Sequence, residues 1–337
     1  MIVTWYLRDD EATASNFPNL GMSSLDSRAA ETYIRCLYCF FMSSLALNKG
    51  VPHALFTNAD SLSIAGRDVV RDLDRIGVVT IRRPLTYKVP GTWQASFRNQ
   101  FYLFDILSVL GSMGGFDHAL VADSDCVWVD SFARISESLE GSECALMEIP
   151  YEPDKVVNGL SRDELRPLMD RLGMQPKLAG PPSYFGGECV VFSREMCNRI
   201  SLRAMEVFAT LVELHRADHR VVCEEAHLLA MVMAESSINY VDLRPLVKRI
   251  WTSRRFRNAT DADLSLALWH LPAEKKFGFM RLYRRLAAHP DLLEGLARDK
   301  RLELLGSYFG VPKQSLTRRF LDDMERVAQR CGLSFVR

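Results

Sequence analysis

Ala119, Leu120, Val121 and Ala122 form an apolar run that two carboxylates, Asp123 and Asp125, cut off with one serine between them. Cys126, Val127, Trp128 and Val129 then resume the apolar character. Residues 119–122 predict a buried strand, bounded by Gly114-Gly115 before it and acids after it. Asp123 and Asp125 therefore stand where a central strand runs out into a loop. In an open α/β sheet that edge is where ligands bind. Two carboxylates on a short turn suit a hard divalent cation such as Mg²⁺ or Mn²⁺, which also takes oxygens from a substrate diphosphate.

The residues before this stretch alternate between strand and helix. Strands are expected at 2–7, 53–57 and 78–82, and helices at 28–48, 69–76 and 96–110. Such alternation predicts an α/β fold, with a Rossmann-like, mainly parallel sheet, right-handed crossovers and helices on its faces. No Gly-x-Gly-x-x-Gly turn follows the first strand, which argues against a dinucleotide dehydrogenase. Residues 36–47 are the longest apolar-rich run, broken by Ser43 and Ser44. This run is too short to span a bilayer and reads as a buried helix, so no transmembrane segment is expected.

A length of 337 residues suits one large domain, or one domain with a helical appendage. Lysine plus arginine equals aspartate plus glutamate, so no global field favours nucleic acid or an anionic membrane. The N-terminus carries no basic segment followed by an apolar run, and a signal peptide is not expected. Several of the eight cysteines lie in apolar strand-like runs, as reduced core residues do, which implies a cytoplasmic compartment. Cys36 and Cys39, with no second pair nearby, read as helix packing.

A strand, Asp123-x-Asp125, and a further strand resemble the metal site of a GT-A glycosyltransferase, distantly similar to glycogenin-like (family 8) enzymes. The resemblance covers residues 1–285, and it implies Mn²⁺ or Mg²⁺ and a nucleotide-sugar donor, with a UDP-sugar favoured. The ends of the first two strands would hold the nucleoside, which points to Trp5, Tyr6, Thr57 and Asn58. A basic residue on the helix before the Asp-x-Asp strand would face the donor, and Arg98 fills that place. Asp123 and Asp125 would take the metal, with Asp123 also near the ribose.

Later stretches fall in the order the resemblance requires. Residues 145–149 read as a strand. The irregular stretch 150–182, with one helix near 161–172, is where acceptor contacts are expected. Tyr184-Phe185-Gly186-Gly187 precedes an apolar strand at 189–192, and the paired glycines let backbone approach a ligand. The family pattern has asparagine where Gly186 stands. A helix at 196–216 is followed by another opening near Val221, which carries Glu224 and Glu225. These match neither the x-Glu-Asp of inverting members nor the Asp-Gln-x-x-Leu of retaining ones, yet both are expected at the catalytic centre, with Glu225 preferred. A strand is expected at 238–242. Arg254, Arg255 and Arg257 surround Phe256 on a loop that would close over a diphosphate. His270 and Lys276 reproduce the late spacing of a metal-ligating histidine and a diphosphate-binding lysine, although Ala273 replaces the family glycine.

These features predict a catalytic domain at 1–285, with a nucleotide-sugar half at 1–130 and an acceptor half at 131–285, and a helical extension at 286–337. The expected activity is metal-dependent transfer of a sugar from a nucleotide diphosphate to an unknown acceptor, with retention slightly favoured by His270 and Lys276. A nucleotidyltransferase is the alternative within the same architecture. The stretch Arg8 to Glu11 is acidic and lacks the glycine-rich basic loop such enzymes carry. A second alternative is DNA binding through 304–321, which has the rhythm of a helix-turn-helix with Gly310-Val311 at the turn. Asp322, Asp323 and Glu325 follow at once and disfavour it.

Overall fold

The computed structural model describes residues 1–18, 20–93, 96, 98–177, 180–222, 224–236, 238–315, 318–320 and 323–324. Its elements run in chain order as β1 (Ile2–Tyr6), the hairpin β2 (Asn16–Phe17) with β3 (Met22–Ser23), α1 (Ser27–Leu47), β4 (His53–Thr57), the hairpin β5 (Ser63–Ile64) with β6 (Arg67–Asp68), α2 (Val69–Arg75) and β7 (Val78–Arg82). Then come α3 (Tyr102–Ser112), β8 (His118–Ala122), β9 (Cys126–Trp128), α4 (Ala133–Ser138), β10 (Cys144–Glu148), α5 (Arg162–Arg171) and β11 (Phe185–Ser193). The chain continues through α6 (Arg194–Arg216), α7 (Glu225–Ser236), β12 (Val241–Asp242), β13 (Val247–Arg249), β14 (Leu268–His270), α8 (Gly278–Ala288) and α9 (Arg298–Phe309). Two compact units result: Met1–Ile34 with Gly50–Ser124 and Ile135–Arg244, and Arg35–Lys49 with Asp125–Arg134 and Pro245–Arg337.

The first unit is built on a seven-stranded sheet in the order β12-β10-β11-β8-β1-β4-β7. Strands β8, β1, β4 and β7 are parallel, with Ile2 opposite both His53 and Leu120. The residues of β1, β4 and β8 make the near-continuous apolar runs that strands buried on both faces require, whereas the edge strand β7 leaves Val79 and Arg82 exposed. β11 breaks the pattern by running antiparallel to β8 and to β10. On one face Val3, Phe56, Val121, Val190 and Phe192 pack with Phe104 and Leu107 of α3 and Ile200 of α6. Gly111 lets α3 meet α6: a Cβ there would lie 2.7 Å from the Asn198 backbone.

Local signals set several of the helix ends. Asp68 accepts the amide of Val70 at 3.1 Å to cap α2. Ser161 and Glu164 form a capping box on α5, and Ser193 accepts the Met196 amide at 3.2 Å to open α6. Several boundaries differ from the sequence expectation, and the strand expected at 238–242 is reduced to the two residues of β12. The helix expected at 96–110 is a 3₁₀ turn over Arg98–Phe101 followed by α3, because Arg98 is drawn inward onto loop carbonyls. The strand expected at 189–192 begins at Phe185, so Gly186 and Gly187 lie inside β11, where its register against β10 shifts. The helix expected from Val221 opens at Glu225.

The second unit holds the C-terminal part of α1, the three-stranded sheet β13-β14-β9, and helices α8 and α9. Its core is aromatic: Tyr38, Phe40, Phe41, Trp128, Trp269, Phe279 and Phe309 are fully buried. Phe279 meets Phe309 at 4.8 Å, and Phe40 meets Trp128 edge-on at 6.4 Å. Ser43 inside α1 and Asn48 just past its end are satisfied. Ser43 Oγ accepts the Trp128 amide at 3.1 Å, and Asn48 Oδ1 accepts that of Phe132 at 2.6 Å. Cys36, Cys39, Cys126, Cys144, Cys189 and Cys197 are free and buried. Among the described residues no helix is long and apolar enough to cross a membrane. α9 ends at Gly310, which takes the left-handed conformation with φ 69°. Of the second helix expected at 313–320, residues 313–315 are not helical, 318–320 are, and 316 and 317 lie outside the described residues.

Candidate active site

Strand pairing in the second unit brings His270 to Asp125. His270 ends β14 opposite Cys126, the first residue of β9, and the Leu271 amide donates to the Asp125 carbonyl at 3.0 Å. His270 Nε2 lies 3.1 Å from Asp125 Oδ2. The same oxygen accepts a hydrogen bond from the Lys275 ammonium. Both side chains are almost wholly buried, Asp125 at 2% and Lys275 at 7% exposed. Burial by itself would raise the Asp125 carboxyl. The Lys275 ammonium and then the His270 imidazole outweigh it and hold the carboxyl well below the usual carboxylate range.

Lys275 is placed by the turn that precedes it. Pro272–Glu274 is a single 3₁₀ turn with Pro272 at its start. Glu274 is buried and accepts from Thr252 Oγ1 at 2.5 Å, from the Gly278 amide at 3.2 Å and from Arg318 Nε at 3.3 Å. Arg318 also lies over the Phe277 ring at 3.8 Å from its centroid. The sequence reading selected Lys276 by family spacing and missed Lys275 and Glu274. Their signal was the run Glu274-Lys275-Lys276 beginning four residues after His270, a concentration of charge in a stretch otherwise apolar.

Asp123 stands one serine before Asp125, at the C-terminal end of β8, and its amide donates to the Glu188 carbonyl at 3.0 Å, which prolongs the β8–β11 pairing. Asp123, Asp125 and His270 each offer one ligand atom, and these atoms lie within 4.8 Å of one another. Two carboxylate oxygens and an imidazole nitrogen are the donor set that Mn²⁺ accepts readily, and Mg²⁺ through its oxygens. The residues fit a divalent cation.

In the first unit the acids of α7 meet β11. A Cβ on Gly187 would collide with Glu225 Oε1, and one on Gly186 with the Glu188 carboxylate and Met147. The paired glycines thus make room for two buried carboxyls. Glu225, the first residue of α7, is buried, and its Oε2 has no hydrogen-bond partner among the described residues. Burial, and then the nearby charges of Glu224 and Asp123, push its carboxyl well above the ordinary range. Glu224, just before the helix, accepts from the Tyr184 hydroxyl and from the Asn158 side-chain amide. His227 follows one turn on, 3.7 Å from Glu224, and burial lowers its imidazole to about 4.

The residues expected to hold a nucleoside lie on adjacent parallel strands and just past them. Tyr6 pairs with Thr57 across β1 and β4. Trp5 packs on Tyr102 at 5.7 Å. Asn58 accepts the Arg8 amide at 2.7 Å and donates to the Arg8 carbonyl at 2.8 Å, tying the two strand ends together. Arg98 is directed to backbone instead of outward: its guanidinium donates to the carbonyls of Val89 at 3.0 Å, Ala14 at 3.3 Å and Ala12 at 3.4 Å. Beside it Asn99 donates to Asp9 at 3.3 Å, and burial raises the Asp9 carboxyl to about 6. Lys276 is half-buried on the turn after Lys275.

No protein-family model matches the chain, and no curated protein matches it. Solved structures do. The fold is similar to that of solved glycosyltransferases. One is mouse xyloside xylosyltransferase 1 in its apo form, 12% identical over 80% of this chain and 96% of that one, with a TM-score of 0.43. The apo WbbM bifunctional glycosyltransferase is 13% identical over 80% of this chain and 45% of that one, with a TM-score of 0.44. An active-site mutant of LgtC is 11% identical over 80% of this chain and 86% of that one, with a TM-score of 0.46.

Proposed function

We propose that the protein is a metal-dependent glycosyltransferase that moves a sugar from a nucleotide-diphosphate donor, with a UDP-sugar favoured, to an acceptor of unassigned class. The observation that carries this reading is the group Asp123, Asp125 and His270 at the C-terminal edge of a central parallel strand. A divalent cation there would supply charge stabilisation on the departing diphosphate. Asp125 and His270 would hold it, with Asp123 beside them. Thr57, Asn58, Trp5 and Tyr6 lie at strand ends suited to the nucleoside, and Gly186 and Gly187 open the backbone beside Glu225. Arg98 and Lys276 stay in the reading as donor-binding residues. Before it binds phosphate, Arg98 must release the loop carbonyls that now hold it.

Glu225 divides the two stereochemical outcomes. A carboxyl whose charged form burial disfavours is suited to donate a hydrogen bond to a hydroxyl. This supports retention over inversion and gives Glu225 the task of binding a hydroxyl through Oε2. The product's anomeric configuration by NMR tests the assignment, and an inverted product would refute it. Nucleotide-diphosphate release from a panel of UDP-, GDP- and dTDP-sugars, with Mn²⁺ or with EDTA, tests the class. Release from one donor only with metal is the expected result. Equal release in EDTA, or none from any donor together with no thermal shift by any nucleotide, would overturn the reading.

Glu225→Gln is expected to be more stable than the parent at pH 8. The parent carboxyl has its folded pKa above the unfolded one, so the folded state binds the extra proton and stability falls as pH rises past about 4.5. The amide removes that slope. Urea midpoints at pH 5 and pH 8 measure it, and equal slopes in parent and variant would contradict the protonated state. Turnover is expected to drop less than about tenfold in Glu225→Gln and more than about tenfold in Glu225→Leu, which loses the polar group.

A further inference from the structure

Lys275 holds one oxygen of a carboxylate that belongs to the candidate cation site. Its ammonium donates to Asp125 Oδ2, the same atom His270 Nε2 approaches at 3.1 Å. The carboxylate is buried and accepts this positive charge from within the chain, so the local charge is already compensated before any metal arrives. The backbone of Lys275 is firmly held, because Glu274 directly before it is bonded to Thr252, the Gly278 amide and Arg318. The side chain, four methylenes and a compact ammonium, has rotatable bonds about which the ammonium can move off Asp125 while that backbone stays in place. A divalent cation held by Asp125 and the ammonium would draw on the same carboxylate, and their like charges oppose close approach.

We propose that Lys275 is a built-in counter-ion of the cation site, which a divalent metal must displace from Asp125, so that Lys275 sets the metal concentration at which the site fills. This rests on the cation-site part of the proposed function, and it assigns to the lysine a positioning and threshold role outside the spacing that singled out Lys276. The consequence is opposite to that of an ordinary site residue. Removing Lys275 improves metal binding while it weakens the metal-free fold. Asp125 then lacks its compensating charge until a metal supplies it.

The test is Mn²⁺ titration of the full chain, followed by the electron paramagnetic resonance of free Mn²⁺, with no donor present. Lys275→Met is expected to bind Mn²⁺ about tenfold or more tightly than the parent, whereas Lys275→Arg, which keeps the charge, stays within about threefold of it. Lys275→Met is also expected to melt lower than the parent in EDTA and to recover in Mn²⁺. Binding by Lys275→Met no tighter than by the parent overturns the proposal but leaves donor turnover to be judged separately. Binding by neither protein overturns the cation site itself. A second measurement needs no variant. Amine acylation of the parent, read by peptide mass spectrometry and normalised to the exposed Lys300, is expected to rise severalfold at Lys275 when Mn²⁺ replaces EDTA. Unchanged labelling at saturating Mn²⁺ overturns displacement.

Discussion

Asp125→Asn is expected to lower metal-dependent donor cleavage roughly a thousandfold, about 4 kcal/mol of transition-state stabilisation. The amide keeps the side-chain shape but lacks the charge that holds a divalent cation, and the imidazole of His270 would face a neutral group. The same substitution strands a second residue. Lys275 is buried beside Asp125, so its ammonium would lose the carboxylate that compensates it. Breaking a buried pair from one side costs about 3–5 kcal/mol, so a fall in melting temperature accompanies the loss of turnover. The two effects separate in the double variant Asp125→Asn with Lys275→Met. Neutralising both partners is expected to return most of the stability while turnover stays at the low level of Asp125→Asn, and the coupling read from the cycle gives the strength of the pair. Turnover by Asp125→Asn within about tenfold of the parent, in a variant that stays folded, would remove Asp125 from the cation site.

The second large effect is on the fold that aims His270. Trp269 is fully buried in β14, between β13 and β9, and its indole Nε1 donates to the Asp263 carbonyl at 2.8 Å. Trp269→Ala removes the largest kind of buried side chain and leaves that carbonyl without its donor, an expected loss of about 3–5 kcal/mol. Trp269→Phe keeps most of the volume and loses only the hydrogen bond and part of the packing, an expected cost of about 1–2 kcal/mol. Urea unfolding measures both, and a Trp269→Ala cost under about 1 kcal/mol would mean that the small sheet does not hold the second unit together. Because His270 follows Trp269 directly, Mn²⁺ affinity is expected to fall with stability in the alanine variant and to survive in the phenylalanine one.

Local pattern was sufficient for some elements. The apolar runs at 53–57 and 119–122 read as buried strands and are β4 and β8, while 78–82 becomes the edge strand β7 with Val79 and Arg82 exposed. The polar interruptions Ser43 and Ser44 left 36–47 as a core helix, and Ser43 proves to accept the Trp128 amide there. Asp123 and Asp125 were visible because charge at the end of a buried strand has few structural reasons. The late His270 was visible only through family spacing, since a lone histidine carries no local signal of its partner.

Tertiary structure decided the rest, because it depends on which residues distant segments bring together. The antiparallel insertion of β11 follows from packing between β8 and β10, which no periodicity encodes, and it put Gly186 and Gly187 inside a strand and beneath Glu225. Arg98 carries the charge of a donor-binding residue, but the loop carbonyls of Ala12, Ala14 and Val89 converge on it from 9 to 86 positions away. That Lys275 meets Asp125 depends on the 3₁₀ turn Pro272–Glu274, which Glu274 holds through Thr252 and Arg318. Residue type and order thus determined the layered α/β plan and the two aspartates at a strand end. Which cation answers Asp125 was left to long-range contacts, since an electrostatic partner is chosen by proximity in space.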